Sequence, residues 1–308
     1  MSRPSISVII PHLNQLSGLE ACLESLHAQS LEPSQFEVVV VDNGSSAMPE
    51  VTVARFPNAR LISELKSGPG PARNLGAQAA NGKIFCFIDA DCRAHPDWLS
   101  VALRTLCAAP KGTILGGDVQ IWCPEKLRFT AFEAYESIFA YVQKRYIEEH
   151  GFSGTGNLAM YRADFYKVGP FAGIELAEDM DWGRRARDLG FTFRYVPEMI
   201  VFHPARQSFR ELCVKWDRHL QHYLNMAQGR RFWRLRWGAR ALAILASPVV
   251  DGHKVFTSAR IHGASARAKA LSVLIAIRTY RAGRMLMLLW SSAGVVWNRE
   301  AKPVGDPD

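Results

Sequence analysis

Cysteine is scarce in this sequence and never arranged as a ligand set. The six cysteines (Cys22, Cys86, Cys92, Cys107, Cys123 and Cys213) form no C-x-x-C pair and no zinc spacing. They read as reduced packing thiols of a cytosolic protein, which argues against a disulfide-stapled secreted domain. Long hydrophobic runs are missing too. No stretch of about 18 uncharged apolar residues occurs, which argues against a simple membrane span. The first apolar run, Ile6 to Ile10, is too short for a signal peptide and reads as a core strand. Near the end, the apolar-rich run Met285 to Asn298 is closed by Arg284 and Arg299. The chain also lacks internal repeats, low-complexity segments and the G-x-G-x-x-G dinucleotide fingerprint.

What remains is ordinary globular composition: 308 residues, 48% hydrophobic and 21% charged, enough for one or two domains with a real core. The net charge of +8 is unevenly placed. Residues 1–204 carry 19 Lys/Arg against 23 Asp/Glu, net −4, and residues 205–308 carry 18 against 6, net +12. The break predicts an acidic domain over 1–204 and a basic tail over 205–308.

Over the first 120 residues, strand and helix patterns alternate. ISVII (6–10), FEVVVV (36–41), ARLIS (59–63), KIFCFI (83–88) and TILGGDVQI (113–121) read as strands. Ser17 and Glu20 suggest a capping box before Leu19, Leu23 and Leu26, and Pro71 suits a helix's first residue, with Gly82 as a stop. Residues 96–107 and 124–150 read as helices, the second rich in aromatics. A glycine-rich loop (152–157), a strand (LAMYR), a helix over 177–190, and strands FTFRYV and VFHP follow. Apolar strands without alternation, separated by helices, predict an α/β protein with an open, mainly parallel sheet covered on both faces.

In such a sheet, ligands bind beyond the carboxyl ends of the strands. Polar residues collect there: His12 and Asn14, then Asp42 and Asn43, then Asp89 and Asp91 of a D-A-D triplet. SGPGPARN (67–74) reads as a glycine-rich helix entry suited to a diphosphate, with Arg73 adding donors. Two carboxylates at i and i+2 where a strand ends can share a hard cation and a sugar hydroxyl, although D-x-D also occurs in ordinary surface turns. Glu178, Asp179 and Asp181 open a helix, where acidic residues either complement the macrodipole or supply a general base. His203 alone is as readily a structural histidine as a ligand.

The ordered motifs SVIIPHLN (7–14), VVVDNGSS (39–46), GPARNLG (70–76), FIDADC (87–92), GTGNLAMYR (154–162), AEDMDWGRRARDLG (177–190) and VPEMIVFHP (196–204) resemble a family 2 glycosyltransferase of the GT-A fold. The resemblance covers about residues 5–204. It implies a nucleotide-sugar donor, a divalent metal (Mn or Mg) and inversion by single displacement onto an acceptor hydroxyl. It also implies that Pro11, His12, Asn14, Asp42, Arg73 and Asp89 bind the donor. Asp91 and His203, with Asp89 beside them, would hold the metal. Asp179 would be the catalytic base, with Glu178 shaping the acceptor site. His12, in place of the commoner aliphatic or aromatic residue, and Asn14, lacking the usual acidic pair after it, depart from the pattern. No Q-x-x-R-W motif follows His203, which disfavours a processive synthase.

The tail contains GRRFWRLRWG (229–238), ALAILASPVV (241–250) and a segment in which Arg278, Arg281 and Arg284 recur every third residue. With Trp233, Trp237, Trp290 and Trp297 nearby, these read as helices in a membrane interface beside anionic lipid. The other reading is that they cover the catalytic body or form a homo-oligomer contact. No nucleic-acid-binding signature accompanies the basic patch. The expected protein is a peripheral enzyme of the cytoplasmic membrane face acting on a glycan or lipid-linked acceptor. The alternatives are a nucleotidyltransferase, or a membrane-associated sugar-nucleotide binding protein without catalysis.

Overall fold

The computed structural model describes residues 4–125, 128–174 and 176–290, except the side chain of His222. Trp297 and the end of the Met285–Asn298 run lie outside the described residues. The chain forms two compact units. One comprises the residues up to Trp122 with Tyr141–Pro204, and the other Cys123–Ala140 with the residues from Ala205 onward.

The first unit is built on strands β1 (Ile6–His12), β2 (Phe36–Asp42), β3 (Ala59–Ser63), β4 (Ile84–Ile88), β5 (Arg93–Ala94), β6 (Thr113–Trp122), β7 (Asn157–Tyr161) and β8 (Thr192–Pro204). They form one 8-stranded sheet in the order β3-β2-β1-β4-β7-β6-β8-β5. Helices α1 (Leu16–His27), α2 (Glu50–Ala54), α3 (Pro69–Ala79) and α4 (Trp98–Ala108) come from its first half. Its second half adds α6 (Gln143–His150), α7 (Arg162–Val168) and α8 (Glu178–Asp188); α5 (Ala131–Phe139) belongs to the other unit.

The apolar strands are explained by cores on both faces. Val8 and Ile10 of β1, with Cys86 and Ile88 of β4, pack with Leu19 and Leu23 of α1 and Trp98 of α4. The intervening Ile9, Phe85 and Phe87 join Phe165 of α7 and Trp182 of α8. Each such side chain contributes about 1.5–3 kcal/mol by burial.

β1, β2, β3 and β4 pair in parallel, as do β6 and β8. β7 runs antiparallel to both β4 and β6, and β5 is antiparallel to β8. Burial patterning reports which faces are covered and carries no strand direction, so these antiparallel insertions were not readable. Two further expectations are corrected. α1 begins at Leu16 with no side-chain cap, so Ser17 and Glu20 form no capping box; a reciprocal box exists instead between Thr130 and Glu133. The two final strand segments are one strand, β8, whose register slips opposite Gly117/Asp118 so that residues 197–199 bulge out.

The second unit contains α5, α9 (Phe209–Gln228), α10 (Trp233–Thr257) and α11 (Ala264–Met287). The expected helix over 124–150 is therefore two helices, divided between the units, because the aromatic face of α5 packs with Leu274 and Ile277 of α11. Glu136 is buried and accepts from the Arg206 backbone N–H at 2.8 Å and its guanidinium at 2.5 Å. The arginine row of α11 turns inward. Arg278 pairs with Asp251 at 2.8 Å, Arg284 with Asp217 at 3.0 Å, and Arg281 is buried over the Trp216 ring. Protein groups occupy all three, so this row is not the lipid-facing stripe expected from its spacing. Among the described residues, no helix is long and apolar enough to cross a membrane.

Candidate active site

The sheet order reverses beside β1, and the carboxyl ends of β1, β2 and β4 carry the first group of expected residues. His12 and Asp42 face each other in the β1–β2 register, with Pro11 opposite Val41. Both are buried, and His12 Nδ1 lies 3.0 Å from Asp42 Oδ1. The Gln15 N–H donates to His12 Nε2 at 3.2 Å, so Nδ1 carries the proton and donates to the carboxylate. Asp42 Oδ2 accepts from the Gly44 and Ser45 N–H groups at 3.2 and 3.0 Å. Burial acts to raise the Asp42 pKa, but the hydrogen bonds from Ser45 and His12 outweigh it and hold the pKa below the ordinary value. Asn14 adopts a left-handed φ of 53° and accepts from the Ser46 N–H at 2.9 Å, tying the first loop to the second. This group forms a rigid floor.

The entry to α3 offers less to an anion than its glycines suggested. Pro69 and Pro71 have no N–H, Gly68 donates to Asn43 Oδ1 at 2.7 Å, and Ala72 donates to the Gly68 carbonyl at 3.3 Å. Gly70 is pressed against the backbone, since a Cβ there would lie 2.0 Å from the Ala172 carbonyl oxygen. The donor array expected at this helix start is largely consumed.

Arg73 is buried on α3 and bridges two carboxylates. Nη2 donates to Asp89 Oδ1 at 2.6 Å and Nη1 to Glu178 Oε1 at 3.0 Å, while Nε has no partner. Burial opposes its charge, but Asp89 and Glu178 outweigh that and raise its pKa. Its two terminal nitrogens thus hold protein carboxylates together.

Asp91 and His203 meet because the short β5 pairs with β8, setting Arg93 opposite Phe202. Asp91 stands two residues before that pair and His203 one after it. His203 Nε2 lies 3.5 Å from Asp91 Oδ2, and its Nδ1–H donates to the Pro204 carbonyl at 2.7 Å. That bond leaves the Nε2 lone pair facing the carboxylate, a geometry shared with metal-bound imidazoles. Tyr141 packs its ring 4.6 Å from that of His203. Cys92 completes a group whose ligand atoms lie within 4.8 Å of one another. Burial, then Asp91 and Asp89, push its thiol pKa far up, so Cys92 backs the group as a neutral thiol. The carboxylate oxygen suits Mn or Mg and the imidazole favours Mn of the two, so these residues fit the expected cation best as Mn. Asp89 stands apart from this trio, held by Arg73.

The acidic run opening α8 separates into distinct environments. Asp181 is spent on Arg184 and Arg185 at 3.0 and 2.9 Å. Glu178 is bound to Arg73. Asp179 accepts from the Met180 N–H at 2.8 Å. Burial, then the Glu178 charge, raise its pKa to about 6, a value suited to a base working near neutrality.

Sequence reasoning missed Asn157. It is buried on β7, accepts from Trp98 Nε1 and donates to the Asp118 and Met199 carbonyls, each at 2.8 Å. The signal available was an asparagine opening an apolar strand after G-T-G. Gly156 before it is also constrained, because a Cβ there would lie 2.6 Å from Asp89 Oδ2.

An open α/β sheet with acidic groups at its strand ends defines a GT-A-type glycosyltransferase fold, and known structures agree. The chain matches the mannosyltransferase PcManGT from Pyrobaculum calidifontis, solved with GDP-Man and Mn2+, with TM-score 0.59 at 19% identity, over 95% of this chain and 89% of that one. It also matches S. aureus TarS 1–349 in complex with UDP-GlcNAc, with TM-score 0.54 at 18% identity, over 91% and 92% of the two chains. The glycosyl transferase family 2 model matches residues 7–169. Glycosyltransferase AglE of Haloferax volcanii is 33% identical over 69% of this chain and 70% of its own length. The amylovoran biosynthesis glycosyltransferase AmsB of Erwinia amylovora is 28% identical over 64% and 68%. The chain belongs to glycosyl transferase family 2 and is a glycosyltransferase.

Proposed function

We propose that this glycosyltransferase is a metal-dependent, inverting, non-processive enzyme. It moves a sugar from a nucleoside-diphosphate sugar to a hydroxyl of a glycan or lipid-linked acceptor at the cytoplasmic face of a membrane. The approach of His203 Nε2 to within 3.5 Å of Asp91 carries this reading. Bound nucleotide sugars and Mn2+ in structures of similar fold support it. Asp91 and His203 would hold the cation, with Asp89 kept apart on Arg73, and the cation would neutralise charge on the leaving diphosphate. The chain's own groups do the rest. Pro11, His12, Asn14 and Asp42 form the floor under the nucleotide, and Arg73 fixes Asp89 on the donor side and Glu178 on the acceptor side. Asp179 takes the acceptor hydroxyl proton while that oxygen forms a bond to the anomeric carbon. The bond to the diphosphate breaks on the opposite face, so the centre inverts.

Melting temperature with UDP or GDP, with and without Mn2+, tests the reading without relying on turnover. The native enzyme should be stabilised by one diphosphate only when Mn2+ is present, and Asp91→Ala should lose that dependence. Asp179→Asn should keep it while turnover falls by about 10²–10⁴. Metal-dependent stabilisation persisting in Asp91→Ala would refute the metal assignment; ordinary turnover in Asp179→Asn would refute the base.

A further inference from the structure

The helical unit contains a pocket of ≈ 200 Å³ outside the residues assigned to sugar transfer, lined by Tyr223, Met226, Arg230, Trp233, Arg236 and Arg240. Its floor is Trp237, buried and donating from Nε1 to the Met285 carbonyl at 2.9 Å. Among the described residues, three of the unit's carboxylates are committed elsewhere. Glu136 serves Arg206 and Lys215, Asp217 serves Tyr280 and Arg284, and Asp251 serves Lys254 and Arg278. The Arg240 guanidinium lies over the face of the Tyr223 ring, 4.8 Å from its centroid.

A second observation points the same way. Tyr223 and Arg240 of the pocket wall also act electrostatically on Arg281, which is 5% exposed and lies 3.4 Å over the Trp216 ring. Among the described residues, Arg281 Nε and Nη1 are buried without a hydrogen-bond partner. Arg281 lies outside the pocket lining, so its charge adds to the positive field around the pocket without meeting the anion directly. Within the pocket's own lining, Met226 is apolar and 53% exposed.

We propose that this pocket binds the phosphate of an anionic phospholipid, held by Arg230, Arg236 and Arg240, with the lipid chains lying over Met226 and Trp233. Three guanidinium forks can share the several oxygens of one phosphate, whereas a carboxylate offers only two, and the apolar rim suits hydrocarbon, which free phosphate lacks. The proposal deepens the membrane reading above and rests on it, but on no step of the transfer reaction.

The test is partition of the full chain onto phosphatidylcholine vesicles, plain or doped to equal surface charge with phosphatidate or with oleate. The native chain should favour phosphatidate over oleate by about tenfold. Arg236→Gln with Arg240→Gln should erase that preference. Arg231→Gln with Arg234→Gln removes the same charge outside the pocket, and should weaken both anionic vesicles alike while keeping the preference. All these arginines are exposed, so unchanged melting temperatures will show that the variants fold. Equal binding to phosphatidate and oleate, or a preference surviving in the pocket variant, overturns the headgroup site while membrane attachment stands. Equal binding to plain and doped vesicles overturns the membrane reading and the site together. Displacement by inorganic phosphate as effective as by short-chain phosphatidate overturns the lipid as occupant.

Discussion

At the scale of single residues, Asp179 and Arg73 make opposite uses of burial. Asp179 is raised to about 6 by burial and then by Glu178. A base must be deprotonated, so kcat should rise with pH along a limb centred near 6. Glu178→Gln removes the neighbouring negative charge and frees Arg73 toward Asp179, so both effects should move the limb to lower pH. A pH–rate profile of the variant checks this, and an unmoved limb would detach it from Asp179. Arg73 instead keeps its charge by holding Asp89 and Glu178. Arg73→Met should leave two half-buried carboxylates facing each other and lower stability by about 2–3 kcal/mol, measured by urea unfolding. The sequence told which residue types would matter, since Arg73, Asp89 and Glu178 all lie within ordered motifs. It did not tell that they would bind one another, because residues 73, 89 and 178 meet only through the tertiary fold.

At the scale of elements, β7 is held by its first residue. Asn157 joins Trp98 of α4 to the Asp118 and Met199 carbonyls, of β6 and β8. Asn157→Ala would strand a buried indole N–H and two carbonyls, and should cost about 3 kcal/mol. Urea unfolding checks the magnitude, and a loss below about 1 kcal/mol would mean that other groups satisfy them. Gly156→Ala belongs to the same turn but acts on the site. Its methyl group would push the Asp89 carboxylate off Arg73, so donor affinity should fall further than stability does. Strand positions were legible because a strand covered on both faces is continuously apolar, as β1, β2 and β4 are. Direction and insertion were not. β7 follows α6 in sequence yet enters between β4 and β6, and it is this insertion that puts Gly156 beside Asp89.

At the scale of the molecule, the −4 and +12 halves of the sequence correspond to different internal electrostatics. In the first unit, hydrogen bonds hold Glu37 and Asp42 below their ordinary pKa even against burial. The stability they contribute is present above about pH 4 and is lost only as pH falls through their lowered values. In the helical unit, cations are crowded instead. Burial, then Lys215, Arg218, Arg281 and Arg206, lower His219 to about 4. An unfolded histidine binds its proton near 6.5, so acidification protonates the unfolded state first, and folded stability drops between about pH 6.5 and 4. Asp179 has the opposite sign. Its raised pKa makes the first unit's folded state bind a proton before the unfolded state does, so that unit gains stability as pH falls from about 6 toward 4. Lowering the pH from 7.5 to 5 should therefore weaken the helical unit by about 1–2 kcal/mol, allowing for partial exposure of His219, while the first unit holds or gains. Calorimetry across that range should separate a lower transition that shifts with pH from an upper one that does not fall. His219→Gln removes the titrating ring and should abolish the downward shift. Persistence of the full shift in His219→Gln would place the acid-sensitive group elsewhere than the cationic interior of the helical unit.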